Sequence, residues 1–374
     1  MPPGGREVGE KSVKRGAPDF VLFAIVLALL SIGIIMVFSS SAVAAGQTIG
    51  DPFYYLKRQL LWALLGLVAM VIVMNIDYFH YRGYVDWFLL GSIILLALVP
   101  LIGLESKGAT RSLGFGSISF QPAELAKIAM VLYLARNHSR NPLRIQSFGK
   151  GLMPSLLVMA LLCGLIMLQP DLGTTVTLAG TTFIVLFAAG ARLLHLGLLA
   201  VAGVAAVALA IYLEPYRMKR FLAFLDPWAD PLGDGFQTIQ SLLALGSGGL
   251  FGLGLGAGKQ KLFYLPERHT DFIYAIIGEE LGFFGAFTVL LLFFGFAWRG
   301  YKIALSTRDS FGSLVAVGIT SLVIFQAIIN LGVVTGSLPV TGITLPLISY
   351  GGSSLLFTLI GVGILLNVSR HADL

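Results

Sequence analysis

Apolar runs long enough to cross a bilayer recur along this 374-residue chain, and nothing else in it constrains the fold as strongly. A spanning helix needs about 20 mostly apolar residues, and in lipid each backbone polar group must be satisfied within the protein. With 56% hydrophobic and only 12% charged residues, little chain remains for a separate soluble domain. The expected class is an all-α polytopic integral membrane protein with about ten transmembrane helices. Their approximate positions are 20–44, 59–76, 84–104, 120–137, 149–168, 171–189, 192–213, 271–298, 310–335 and 342–368. The chain then divides into a cytoplasmic tail (1–19), helices 1–7 (20–213), a long extracytoplasmic loop (214–270), helices 8–10 (271–368) and a second cytoplasmic tail (369–374).

The first run, Phe20 to Phe38, follows Arg6, Lys11, Lys14 and Arg15 and so looks like a secretory signal. It is longer than the usual apolar stretch of about 7–15 residues, and further spans follow, so it reads as a retained helix with its amino end in the cytoplasm. An even number of spans puts both termini on that side. The inward segments then hold more than half of the 25 basic residues, as the positive-inside rule requires. Net charge +6 is therefore a topology signal. No basic face with interleaved aromatics marks a nucleic-acid partner. The fourth span, carrying Glu124 and Lys127, is the weakest. The single cysteine, Cys163, lies in an apolar run and leaves no intrachain disulfide.

The segment 214–270 is far longer than the usual connection of about 4–6 residues, a length typical of functional loops. Its glycine-rich centre, Gly246 to Lys259, does not fit a phosphate loop: Leu253 stands where that motif needs glycine, and Gln260 where it needs Ser or Thr. Tight turns and close backbone packing are the expected role of these glycines. The same loop ends in Leu265-Pro266-Glu267-Arg268-His269-Thr270-Asp271, crowding four ionisable side chains against the hydrophobic run from Phe272. Charges at such a boundary either end the span or serve function.

Other polar residues interrupt apolar surroundings. Glu124 and Lys127, three apart after Gln121-Pro122, share a helix face and either steady it as an ion pair or line a cavity for a charged headgroup. Asp171, in Gln169-Pro170-Asp171, suits a helix N-cap, which does not preclude substrate contact. Ser349-Tyr350-Gly351-Gly352-Ser353 breaks the last run, and its hydroxyls can bond a ligand or re-satisfy a broken helix. Arg111, in a short outward loop, is either a solvated charge or a bidentate pyrophosphate contact. No zinc signature occurs, and the five histidines are scattered.

Together, Gln121-Pro122-Ala123-Glu124, Gln169-Pro170-Asp171-Leu172-Gly173-Thr174, Gly235-Phe236-Gln237, Leu265 to Phe272, Gly278-Glu279-Glu280-Leu281-Gly282 and Pro346 to Ser353 resemble the SEDS family of bacterial peptidoglycan glycosyltransferases. Lys259 to Tyr264 and Thr335 to Gly342 are more similar to the FtsW/SpoVE branch than to RodA. The resemblance implies a multi-pass protein of the bacterial cytoplasmic membrane that polymerises lipid II into glycan strands at the outer face, with a role in cell division. It also implies a class B penicillin-binding protein and other divisome or elongasome membrane proteins as partners. Asp271 carries the family's essential aspartate and is expected to be the general base. The expected substrate-binding set is Arg111, Gln121, Glu124, Lys127, Gln169, Asp171, Gln237, Glu267, His269, Ser349 and Ser353. No resident cofactor is identifiable; Lys127, Arg111 or a divalent cation are the alternatives for stabilising the leaving pyrophosphate. A flippase for lipid-linked sugar and a non-catalytic scaffold of the cell-wall machinery are the competing classes.

Overall fold

The computed structural model describes residues 16–106, 109–115, 118–262 and 264–373. The basic tail residues Arg6, Lys11, Lys14 and Arg15 lie outside them. Ten helices fall on the ten expected spans: α1 (Phe20–Thr48), α2 (Tyr54–Asn75), α3 (Tyr78–Ile102), α4 (Pro122–Arg140), α5 (Met153–Met167), α6 (Leu172–Ala188), α7 (Leu193–Tyr212), α10 (Ile273–Ser306), α11 (Ser310–Val334) and α12 (Gly352–Ser369). Among the described residues, eight helices are long and apolar enough to cross a membrane; α6 is apolar but has 17 residues, and α4 falls short in composition. Burial resolves the case of α4. Glu124 and Lys127 both point into the bundle, where α4 packs against α3, α6 and α11.

Several helix starts are set by aspartates whose carboxylates accept otherwise unpaired N–H groups. Asp19 caps α1 through Leu22 N–H at 2.9 Å, and Asp309 caps α11 through Gly312 N–H at 2.8 Å. Asp77 caps α3 through Phe79 N–H at 3.1 Å, which starts that helix at Tyr78 rather than at 84. The core lies along α11 and α12, with the first turns of α10, Ile273 to Glu280, wholly buried beside them. At the periphery α7 buries only Leu196.

The all-α class holds, with four local refinements. β1 (Leu104–Ser106), β2 (Ala109–Phe115) and β3 (Ile118–Phe120) add a small antiparallel sheet between α3 and α4, so Arg111 sits on a strand rather than in a loop. The long loop contains α8 (Pro215–Leu225) and α9 (Phe236–Ser247). α10 runs on to Ser306 instead of ending near 298. Finally, α12 begins at Gly352 rather than at 342, because Gly342 (φ +77) and Leu347 (φ +65) hold the preceding segment in non-helical backbone. That segment crosses the bundle without its own helix, and side chains serve its polar groups. Gln326 donates to the Thr344 carbonyl at 3.1 Å, Asn330 to the Ile343 carbonyl at 2.7 Å, and Leu345 N–H to Ser349 Oγ at 2.8 Å.

Candidate active site

The turn before α10 is wound on Glu267, whose backbone takes the left-handed φ of +53. Such a conformation is uncommon outside glycine and persists where the surroundings enforce it. Its carbonyl accepts from Thr270 N–H at 3.1 Å and Phe272 N–H at 3.2 Å, and its carboxylate accepts from Thr270 Oγ1 at 2.9 Å. The last three carbonyls of the turn, those of His269, Thr270 and Asp271, are pinned from other elements. Tyr350 N–H donates to His269 O at 2.9 Å, Ser349 Oγ to Thr270 O at 2.6 Å, and Asn330 Nδ2 to Asp271 O at 2.7 Å. Asp271 is thus fixed by its main chain from both α11 and the segment preceding α12, while its side chain faces a cavity.

That cavity holds about 640 Å³ and is polar. Asp271 and Glu267 line it from the turn, Glu124, Lys127 and Gln121 from the start of α4, and Asp171 from the start of α6. Arg111 enters from β2, Gln237 from α9, and Ser353 from α12. The charges are arranged rather than scattered. Lys127 Nζ lies 3.0 Å from Glu124 Oε1 and 3.0 Å from Gln326 Oε1. Asp171 accepts from Thr174 N–H at 3.0 Å and Thr174 Oγ1 at 2.9 Å, the geometry of an N-cap. Arg111 donates to the Gln169 and Pro170 carbonyls at 3.2 and 2.7 Å, which aims its guanidinium along the entrance of α6.

Three expected site residues stand behind the wall instead of on it. Gln169 is buried and donates to the Leu96 carbonyl at 3.2 Å. Ser349 clamps Thr270 as described. His269 packs its ring 4.5 Å from that of Tyr55 and 5.7 Å from that of Tyr350. Conversely, the cavity is lined by Arg58 and Trp62 of α2, Tyr216 and Arg220 of α8, and Gln326 of α11, which sequence reasoning passed over. A lone glutamine or arginine inside or beside an apolar run was the available signal. Arg220 rests over the Tyr216 ring at 4.5 Å and donates to the Val340 carbonyl at 3.3 Å. Four basic side chains, Arg58, Arg111, Lys127 and Arg220, therefore surround a space that also presents the Asp271 carboxylate. Among the described residues, no group of three or more His, Cys, Asp or Glu is placed to hold a metal ion.

A polytopic membrane protein with a polar cavity lined by four basic and four acidic side chains, Asp271 among them, is the class that fold and site define. Comparison with known proteins makes it specific. The family of cell cycle proteins FtsW/RodA/SpoVE matches residues 20–374, and the chain belongs to that family. It is 48% identical over 363 residues to stage V sporulation protein E of Bacillus subtilis, covering 96% of this chain and 99% of the relative. It is 46% identical over 374 residues to the probable peptidoglycan glycosyltransferase FtsW of Trichlorobacter lovleyi, covering 98% and 97%. Among solved structures, a chain from work on polymerization and crosslinking by a peptidoglycan synthase complex superposes with TM-score 0.79 at 35% identity, covering 96% of this chain and 99% of its own. The rod shape determining protein RodA of Thermus thermophilus superposes with TM-score 0.71 at 31% identity, covering 96% and 98%.

Proposed function

We propose that this membrane glycosyltransferase polymerises lipid II into glycan strands, with Asp271 as the general base. The observation that supports the assignment is the placement of Asp271: its main chain is pinned by Asn330, and its side chain lines a polar cavity that also presents four basic side chains. In the reaction a sugar hydroxyl attacks an anomeric carbon. A new C–O bond forms, the C–O bond to the lipid pyrophosphate breaks, and the hydroxyl proton passes to the Asp271 carboxylate. A base within reach typically contributes about 10²–10⁴-fold in rate. Pyrophosphate departs with its charge and needs electrostatic stabilisation more than protonation, which preorganised cations in a secluded site provide. Arg58, Arg111, Lys127 and Arg220 are the side chains suited to that task.

A divalent cation is an additional source of such charge. Magnesium is commonly held by one or two carboxylates together with substrate phosphates, so here it would share its ligands with the pyrophosphate, and a chelator titration of polymerisation tests for it. The proposed orientation keeps both termini in the cytoplasm and opens the cavity towards the outer face. The proposed partner is a class B penicillin-binding protein, supplying the transpeptidase that this chain lacks. The deciding experiment is lipid II polymerisation by purified Asp271→Asn. That variant should fold yet leave lipid II unextended; normal strand synthesis removes Asp271 as the base.

A further inference from the structure

Gly282 adopts φ +68 and ψ −166 inside α10, so the helix is broken just beyond its buried first turns. A broken helix leaves backbone groups without helical partners, and inside a membrane protein water is a poor substitute. The glycine-rich segment supplies those partners. The N–H groups of Leu253 and Gly254 donate to the carbonyls of Glu279 and Glu280, each at 3.0 Å. In return, Phe283 and Phe284 N–H donate to the Gly249 and Leu250 carbonyls at 2.9 and 3.2 Å. Gly252 lies so close to the Glu280 carbonyl that any β-carbon would collide with it.

Two carboxylates complete the join. Glu279 accepts from Lys259 N–H at 2.7 Å and from Gln260 N–H at 3.1 Å. Glu280 accepts from Gly256 N–H at 3.1 Å, from Lys261 Nζ at 2.6 Å and from the Ser39 hydroxyl of α1 at 2.6 Å. The side chains of Lys261 and Glu280 are 4% and 0% exposed. The chain thus leaves the break at Gly249–Lys261, turns through Glu267–Asp271, and returns to it at Glu279–Phe284. Asp271 rides on a closed ring whose neck is this join.

Stability alone is a weak reason for such a pair, because burying two charges costs desolvation that their attraction seldom exceeds, and apolar replacements often serve as well. What a buried pair fixes is register. Only one alignment of loop against helix brings Lys261, Glu280 and Ser39 together. None of the three lines the cavity.

We propose that Lys261 and Glu280, steadied by Ser39, are positioning residues that lock the glycine segment into the break of α10 and thereby hold Asp271 at its station. The proposal rests on Asp271 being the base. Its test is the kinetics of lipid II polymerisation by the full-length protein. Lys261→Met/Glu280→Gln removes both charges at similar volume, and should lower kcat by about 10- to 100-fold, the scale of a misplaced reacting group, with KM for lipid II unchanged within about twofold. Lys261→Arg keeps the pair and should restore most of kcat. Ser39→Ala deletes one hydroxyl and leaves both charges, so it decides the matter if the double variant does not fold; a fall in kcat of about threefold or more at constant KM is expected. Wild-type kcat in Ser39→Ala and in any folded double variant overturns the latch, as does a loss carried by KM. Asp271→Asn, assayed alongside, separates the two readings. Normal turnover by that variant sinks the base assignment, whereas an inert Asp271→Asn beside fully active pair variants sinks only the latch.

Discussion

Asn330 Nδ2 donates to the main-chain carbonyl of Asp271 at 2.7 Å and to that of Ile343 at the same distance. One amide, in an otherwise apolar stretch of α11, ties the Glu267–Asp271 turn to the irregular segment before α12. Replacing it by leucine leaves two carbonyls buried without donors, at about 1–3 kcal/mol each. Asn330→Leu should therefore lower thermal stability and reduce kcat for lipid II polymerisation. Asn330→Asp, which sets a carboxylate against those carbonyls, should be worse than leucine in the same two measurements.

Gly342 faces the carboxylate directly. A β-carbon there would lie 3.7 Å from Asp271 Oδ2, in ordinary contact, so space is not the obstacle. Backbone is: φ at Gly342 is +77, and an L-residue pays roughly 1–2 kcal/mol in that region. Gly342→Ala should destabilise by about that amount, read as a shift in unfolding temperature, and should also lower kcat/KM. An unchanged kcat/KM in the alanine variant would show that this part of the wall is idle.

The Glu124–Lys127 pair has side chains only 8% and 4% exposed. Removing one partner strands a buried charge, which typically costs about 3–5 kcal/mol. Lys127→Met should accordingly unfold readily, while Lys127→Met/Glu124→Gln should fold and still polymerise poorly for want of a cation at the pyrophosphate. Thermal denaturation and strand synthesis, measured on both variants, check the two halves of this expectation. A lipid-linked-sugar flippase predicts another pattern in liposomes: translocation lost in the double variant and intact in Asp271→Asn.

Asp171 caps α6 and also lines the cavity. Asp171→Ala should cost about 0.5–2 kcal/mol of stability through the lost cap. Asp171→Asn keeps an acceptor for Thr174 N–H and should recover most of that loss. Polymerisation by the asparagine variant then isolates the contribution of charge at this corner: activity near wild type assigns Asp171 to capping alone.

What the sequence disclosed and what it withheld divide along chain distance. The Glu124–Lys127 pairing, the Asp171 cap and the charged run ending at Asp271 are local patterns, set by helical spacing or by a boundary within a few residues. Gln326 and Asn330 left no more than a lone polar residue in an apolar run, because each meets its partners across the fold: Gln326 reaches Lys127, and Asn330 reaches Asp271, only after helices have packed. The last span was misjudged for a related reason. Its first residues are apolar enough for a helix, but two left-handed residues, Gly342 and Leu347, redirect the chain and side chains of α11 satisfy its polar groups. The sheet between α3 and α4 escaped notice because strands of three to seven residues carry too little alternation to register.

At 34 residues, α10 would measure about 51 Å if straight, well beyond a hydrocarbon core of about 30 Å. A helix of that length meets changes in bilayer thickness by tilting or bending. Because its backbone is interrupted at Gly282, the arm from Ile273 to Leu281 and the arm from Phe283 to Ser306 need not share one axis. The interruption is a splinted corner rather than a free joint: Phe283 and Phe284, at the head of the long arm, are hydrogen-bonded to Gly249 and Leu250, so the angle between the arms is braced by the same segment that leads to Asp271.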